Sequence, residues 1–248
     1  EAAAMKLYQV DPAKFDAAEM RKKFDALPLK MEEDVIGMEW PKRALIELAR
    51  QKFARASDPN RPAIRLIIPG PKGTGKSALA ESFARALGEP FHRIDMTKYP
   101  DSRYVEEFRR ELAQAVRKSP GAVILIDEIE KSDLSIQNAL LLPMDSGKLA
   151  VSENVNSTSG GGKSVVRADL RNATILFATN AAQDLILDRW KGKSAKSGLG
   201  FSSADGAHQG PQMLTSEELR AQMALEGISQ TLLDRIPVAA AAFPAAPA

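Results

Sequence analysis

A three-layer α/β/α fold around a mostly parallel sheet is predicted by two patterns and one turn in the 248-residue sequence. Short apolar runs bounded by turn residues alternate with segments of helical period, which is the rhythm of β-α-β units. One of these runs, over residues 64–68, passes through a glycine-rich turn directly into a helical stretch. The apolar fraction of 44% is enough to build a core at this length.

The elements follow in order. Asp11 and Pro12 open an amphipathic segment over 11–27, with Phe15, Met20, Phe24 and Leu27 near one face. A second helix over 39–54 has Leu45, Leu48, Ala49 and Phe53 as its apolar stripe, and the polar, proline-containing stretch 57–62 ends it. Strands are predicted at 64–68, 91–95, 122–127, 173–179 and 236–242, giving a sheet of five. Residues 151–164 and 191–212 read as polar, glycine-containing loops. The chain divides into an N-terminal helical extension, 1–34, and one large α/β unit, 35–248.

Composition narrows the chemistry. Lysine plus arginine number 34 against 32 acidic residues, a formal charge of +2, and no long basic run singles out nucleic acid as a partner. The absence of cysteine excludes disulfides, thiolate nucleophiles and thiolate-bound zinc, and two histidines, His92 and His208, do not make a histidine-rich metal site. Any metal chemistry therefore rests on oxygen ligands. No stretch has the apolar length needed to span a bilayer and no leader pattern opens the chain, so the expectation is a cytoplasmic protein without membrane insertion.

The glycine-rich turn is Gly70, Pro71, Lys72, Gly73, Thr74, Gly75, Lys76 and Ser77, followed by Ala78. It matches GxxxxGK[ST] between a strand and a helix, the context of a P-loop, so the fold class is that of a P-loop NTPase. Glycines let successive backbone N–H groups and the positive end of the helix face a β-phosphate. Lys76 reaches β and γ oxygens and Ser77 ligates Mg²⁺, making ATP and Mg²⁺ the predicted ligands. A second Gly-Lys-Ser, at Gly162, Lys163 and Ser164, fails the test, because Ser157 stands where the first glycine is required and no strand precedes it.

Some fifty residues further on, four apolar residues from Val123 to Ile126 end in Asp127 and Glu128. A buried strand of this kind delivers Asp127 as a hard oxygen ligand beside the metal held by Ser77. Glu128 is placed to accept a proton from the attacking water, a role that hydrolysis needs and simple binding does not.

With these elements in order the chain resembles the AAA+ ATPases, and within them the Clp group of unfoldases, over roughly residues 35–238. Asp127, Glu128, Ile129, Glu130, Lys131 and Ser132 are similar to D-E-I-E-K-[AS]; Arg93, Ile94, Asp95, Met96 and Thr97 to R-I-D-M-[ST]; Asp169, Leu170, Arg171 and Asn172 to D-F-R-N. The resemblance implies that Asn180, after Thr179, is a sensor whose amide meets the γ-phosphate or the attacking water. It implies that Arg235, in the run Leu233, Asp234, Arg235 and Ile236, is an arginine finger reaching the neighbouring subunit's site. The residue types alone allow a surface ion pair at a helix end instead. Val35, Ile36 and Gly37 are similar to the family's V-V-G segment against adenine, or are an ordinary packed turn. A homo-oligomer, a hexameric ring acting on a protein substrate or a dedicated protein partner, comes with the resemblance.

Two departures stand out. In place of the family's G-Y-V-G pore loop, the short connection 99–120 holds Arg103, Tyr104 and Val105 without flanking glycines. Tyr104 is then either a pore aromatic that grips substrate or the start of a helix. The stretch 151–164, where the family has a second pore loop, is longer than its counterpart and is an alternative place for substrate handling. The small helical lid of the family does not follow before Ala248, so either it lies beyond this chain or the protein lacks it, and weak ATP binding and slow hydrolysis are expected of the chain on its own. Three functions fit: a remodelling motor for protein substrates, a switch or assembly factor, and, least favoured, a nucleic-acid loader.

Overall fold

Residue alternation on the strands decides the layering. In the computed structural model, which describes residues 17–54, 57–155, 162–190 and 214–239, β1 (Ile64–Pro69), β2 (Phe91–Asp95), β3 (Val123–Asp127) and β6 (Thr174–Thr179) form one parallel sheet. Its order is β1-β6-β3-β2. Ile64, Leu66, Ile68, Val123, Leu125, Leu176 and Ala178 face one apolar cluster, and Ile67, Ile124, Ile126, Ile175 and Phe177 face the other. The central strands β3 and β6 are buried along their whole length and need helices on both faces, which is why these two runs are the most continuously apolar.

One helical layer is made by α1 (Ala17–Asp34), α2 (Glu39–Phe53) and α3 (Lys76–Leu87). The first helix does not end at Leu27, the bound of the amphipathic segment. It continues through Pro28 to Asp34, because Leu27 and Met31 are both buried in the cluster that holds Leu79 and Phe83. That burial outweighs the one backbone donor that proline removes. Residues 11–16 lie outside the described residues. The stripe of α2 is as expected, with Leu45 and Ala49 buried and Leu48 and Phe53 packed against them.

The other layer contains α4 (Val105–Lys118), the short helices α5 (Leu134–Ala139) and α6 (Leu141–Ser146), α7 (Gln183–Trp190), α8 (Ser216–Leu225) and α9 (Gln230–Leu233). Phe108, Leu112 and Val116 of α4, Ile136 of α5 and Leu219 of α8 enter the same cluster. Thr215 caps α8 reciprocally with Glu218, each side chain accepting the other residue's backbone N–H.

Two expectations are corrected. Among the described residues the sheet has four full strands rather than five. The 236–242 run is represented by a single parallel bridge, Val238 to Ile67, on the free edge of β1. There Ile67 N donates to Pro237 O at 2.9 Å and Ala239 N to Ile67 O at 2.8 Å, and residues 240–242 lie outside the described residues. Pro237 offers no donor of its own, which limits the ladder it can join.

The two ends of the stretch 151–164 are not loop. Residues 151–155 and 162–164 belong to the antiparallel pair β4 (Lys148–Val155) and β5 (Gly162–Asp169), in register from Lys148↔Asp169 to Val155↔Gly162, and residues 156–161 lie outside the described residues. Leu149, Val151 and Ala168 are buried in the main core, so the base of the hairpin is held by packing that its polar composition conceals. The failed motif at Gly162, Lys163 and Ser164 is thus the start of a strand. The second predicted loop, 191–212, lies outside the described residues.

Candidate nucleotide site

Parallel strands bring their carboxyl ends to one edge of the sheet, where ligands of open α/β folds bind. At that edge β1 leads into the turn 70–77. Gly70 N donates to Thr179 O at 3.2 Å, fastening the turn to the end of β6. Thr74 Oγ1 donates to Pro71 O at 2.9 Å and closes the loop on itself. Gly73 and Gly75 have φ of 82° and 92°, a conformation that side-chain-bearing residues avoid. The first helical bond of α3 runs from Leu79 N to Gly75 O at 2.8 Å. The N–H groups of Lys76, Ser77 and Ala78 therefore precede any intrahelical donation and remain for an anion at the positive end of the helix.

Lys76 is folded back into this loop. Its Nζ donates to Gly70 O at 2.6 Å, Pro71 O at 2.9 Å and Asn180 Oδ1 at 3.0 Å, and the residue is only 7% exposed. Burial pushes its ammonium below the usual lysine value, against the opposing pull of Asp127, Glu130 and Glu128. Three neutral acceptors stand where phosphate oxygens would give the charge a counter-ion.

β3 carries Asp127 to the same edge. Ser77 Oγ donates to Asp127 Oδ2 at 3.1 Å, so the two residues expected to hold a metal converge. Among the described residues no group of three or more His, Cys, Asp or Glu could hold a metal by itself. A hydroxyl and a carboxylate oxygen fit Mg²⁺ that takes its remaining ligands from phosphate and water. Arg93 supplies Nε and Nη2 to the same Oδ2, each at 2.8 Å. The following residue, Glu128, is left-handed, with φ 58°. Among the described residues its carboxylate has no hydrogen-bond partner, and nothing there ties it away from water. A non-glycine residue in this conformation costs about 1–3 kcal/mol, which the buried β3 and Ile129 on either side offset.

Asn180 follows β6 and joins Lys76 to Glu130. The loop is tied further by Lys72 N donating to Gln183 Oε1 at 3.2 Å. Val35 is buried, Ile36 is 86% exposed, and Gly37 is left-handed at φ 75°. The side chain this segment sets against the phosphate loop is Met38, whose Sδ lies 3.7 Å from where a Cβ on Gly75 would sit.

Arg235 is not part of this group. It ion-pairs with Asp145 and donates to Thr231 O, and none of its hydrogen bonds reaches Lys76, Asp127 or Asn180. Tyr104 precedes α4, with its ring packed edge-on to Tyr99 at 6.3 Å between centroids. Four site neighbours escaped the sequence: Arg93, Glu130, Gln183 and Glu226, whose Oε1 accepts from Ala182 N at 3.0 Å. Arg93 and Glu130 stand inside recognised strings. Gln183 and Glu226 lack any local signal, being brought in by chain reversals.

Comparison with known proteins agrees with this geometry. A family model described as AAA domain (Cdc48 subfamily) matches residues 61–239. Chaperone protein ClpB of Gloeobacter violaceus is 32% identical over 185 residues, covering 68% of this chain and 20% of that protein. Chaperone protein ClpB of Meiothermus ruber is 33% identical over 183 residues, with the same coverage of 68% and 20%. Chaperone protein ClpB 2 of Synechocystis is 34% identical over 169 residues, covering 62% of this chain and 18% of its own length. The chain thus spans about a fifth of the length of these curated relatives. With the match running from before the phosphate loop to the segment beyond Arg235, the chain belongs to the AAA domain family as an AAA+ ATPase of the Clp type.

Proposed function

We propose that this chain is the catalytic core of a ring-forming, Mg²⁺-requiring ATPase that couples ATP hydrolysis to the remodelling of protein substrates. The observation that carries the reading is the convergence of Lys76, Ser77, Asp127 and Asn180 at the end of the sheet, with Glu128 beside them and unengaged. Val35, Ile36 and Gly37 flank the base, and the backbone from Gly70 through Ala78 surrounds the phosphates. Lys76 exchanges its loop carbonyls for β and γ oxygens. Glu128 orients a water and takes its proton as the water oxygen bonds to the γ-phosphorus. The bond to the β–γ bridging oxygen breaks, and ADP and phosphate leave. Asn180 donates to the phosphate or the water, and Arg235 meets the developing charge in a neighbouring site. Ser77 and Asp127 would hold Mg²⁺, which would supply charge neutralisation on the phosphates.

That the curated relatives are chaperones supports a protein substrate. A second reading, a switch whose nucleotide state governs assembly with one protein partner, is favoured by one observation. Tyr104 packs on Tyr99 against the main core instead of standing free between glycines.

The test is Glu128→Gln, which keeps the shape and removes the base. ATP binding is expected to persist, hydrolysis to fall about a hundredfold or more, and an ATP-dependent oligomer to accumulate in light scattering. Hydrolysis at the parent rate would refute the assignment. Tyr104→Ala then separates motor from switch: lost threading of a protein substrate with ATPase retained supports the motor, and unchanged action on the partner supports the switch.

A further inference from the structure

Glu130 lies in the turn just past Glu128, and its carboxylate ends on the close of β6. Its Oε2 accepts from Thr179 Oγ1 at 2.7 Å; its Oε1 accepts from Asn180 N at 3.1 Å and Asn180 Nδ2 at 3.3 Å. The left-handed Glu128 makes this reach possible. It turns the chain so that Ile129 enters the core and Glu130 comes back over the neighbouring strand.

The chemistry of the two neighbours decides how the Asn180 amide faces. An ammonium can only donate and a carboxylate can only accept. Lys76 Nζ at 3.0 Å therefore takes the amide oxygen, and Glu130 takes the amide nitrogen. The opposite orientation would set oxygen against carboxylate and NH₂ against ammonium, losing both bonds. Held this way, Asn180 spends one of its two Nδ2 hydrogens on Glu130. The other remains for a phosphate or water oxygen. Neither Lys76 nor the backbone alone would enforce that choice, because Lys76 has Gly70 O and Pro71 O as well.

We infer that Glu130 is a positioning residue for Asn180: it fixes the amide orientation by which the site distinguishes a nucleotide bearing a γ-phosphate from one without it. The inference rests on the proposed role of Asn180 at the γ-phosphate. If the carboxylate did no more than tie the turn to β6, its loss would weaken diphosphate and triphosphate binding alike.

The experiment uses Glu130→Gln, which preserves shape but replaces an acceptor oxygen with a donor, together with Asn180→Ala and the double variant. Each is titrated in the full chain with ADP and with a non-hydrolysable ATP analogue, and ATP turnover is measured. Glu130→Gln is expected to change ADP affinity by less than about twofold, while the preference for the triphosphate over ADP falls about tenfold, the worth of one hydrogen bond to a charged group. Turnover falls by about a hundredfold, as it does when a reacting group is misplaced by about 1 Å. The double variant is no worse than Asn180→Ala alone. An unchanged preference, a parallel loss of ADP and analogue affinity, or losses that add to those of Asn180→Ala would each overturn the inference. If Asn180→Ala itself leaves preference and turnover intact, the reading of Asn180 fails first, a result distinguishable from failure of Glu130 alone.

Discussion

Arg235 Nε lies 2.7 Å from Asp145 Oδ2, so the residue proposed to serve a neighbouring subunit rests on a carboxylate of its own chain. Its backbone is held on both sides. Arg220 donates through Nη1 to Leu233 O and through Nη2 to Ile236 O at 2.8 Å. Asp145 is two residues before Gly147, the left-handed residue that immediately precedes β4. The guanidinium is thus poised by its surroundings while its ion pair is partly solvated.

Such a pair contributes at most about 1 kcal/mol, so exchanging it for phosphate costs little. Asp145→Asn is expected to change stability by no more than about 1 kcal/mol in a melting experiment. Arg235→Ala is expected to lower turnover about a thousandfold in the assembled protein. Mixing Arg235→Ala subunits with Lys76→Ala subunits should restore part of the activity, because each supplies what its neighbour lacks. Mixed oligomers that form but stay inactive would refute action between subunits.

Lys76 makes a pH prediction whose sign can be worked out. Burial holds its pKa below the ordinary 10.5 in the free protein, and bound phosphate would raise it again. Below the free-state value Lys76 is charged with or without nucleotide; above the bound-state value it is neutral in both. Between them, binding draws a proton from solution. Calorimetry of ADP binding at alkaline pH, in buffers of different ionisation enthalpy, should show uptake approaching about one proton. Uptake should vanish in Lys76→Met. Equal heats in all buffers for the parent protein would count against the charge exchange.

The legible parts of this molecule are those whose cause is local. The phosphate loop is readable because Gly73 and Gly75 occupy positive φ that few other residues tolerate, and the central strands β3 and β6 because burial on both faces favours apolar residues. Asp127 follows from its strand. Non-local causes were not readable. The helix bounded at Leu27 runs on through Pro28 because Met31 beyond it packs in the core. Glu130 stands in the sequence only as part of a family-like string, and its contact with the end of β6, made past the left-handed Glu128, is non-local. Arg235 could be recognised by its neighbours in sequence, whereas its partner Asp145 lies 90 residues away.

The strands β4 and β5, whose ends at 151–155 and 162–164 read as loop from composition, present two faces in sharp contrast. Val151 is buried in the main core, whereas Val165, paired in register with Ser152, is 67% exposed. Alternation along a strand puts these valines on opposite faces, so one chemical change should have two separate effects. Val151→Asp buries a carboxylate without a partner and is expected to cost more than about 3 kcal/mol, read as a fall in the melting temperature. Val165→Asp touches solvent and should change stability by no more than about 0.5 kcal/mol. If the hairpin handles substrate in place of the absent glycine-flanked aromatic, Val165→Asp will also slow the remodelling of an aggregated reporter protein while ATP turnover is maintained. An aspartate at position 165 that leaves remodelling at the parent rate would remove the outer face from substrate handling and return that role to Tyr104 or to the switch reading. The comparison holds because the two variants add the same charge to the same hairpin, so only the face distinguishes them.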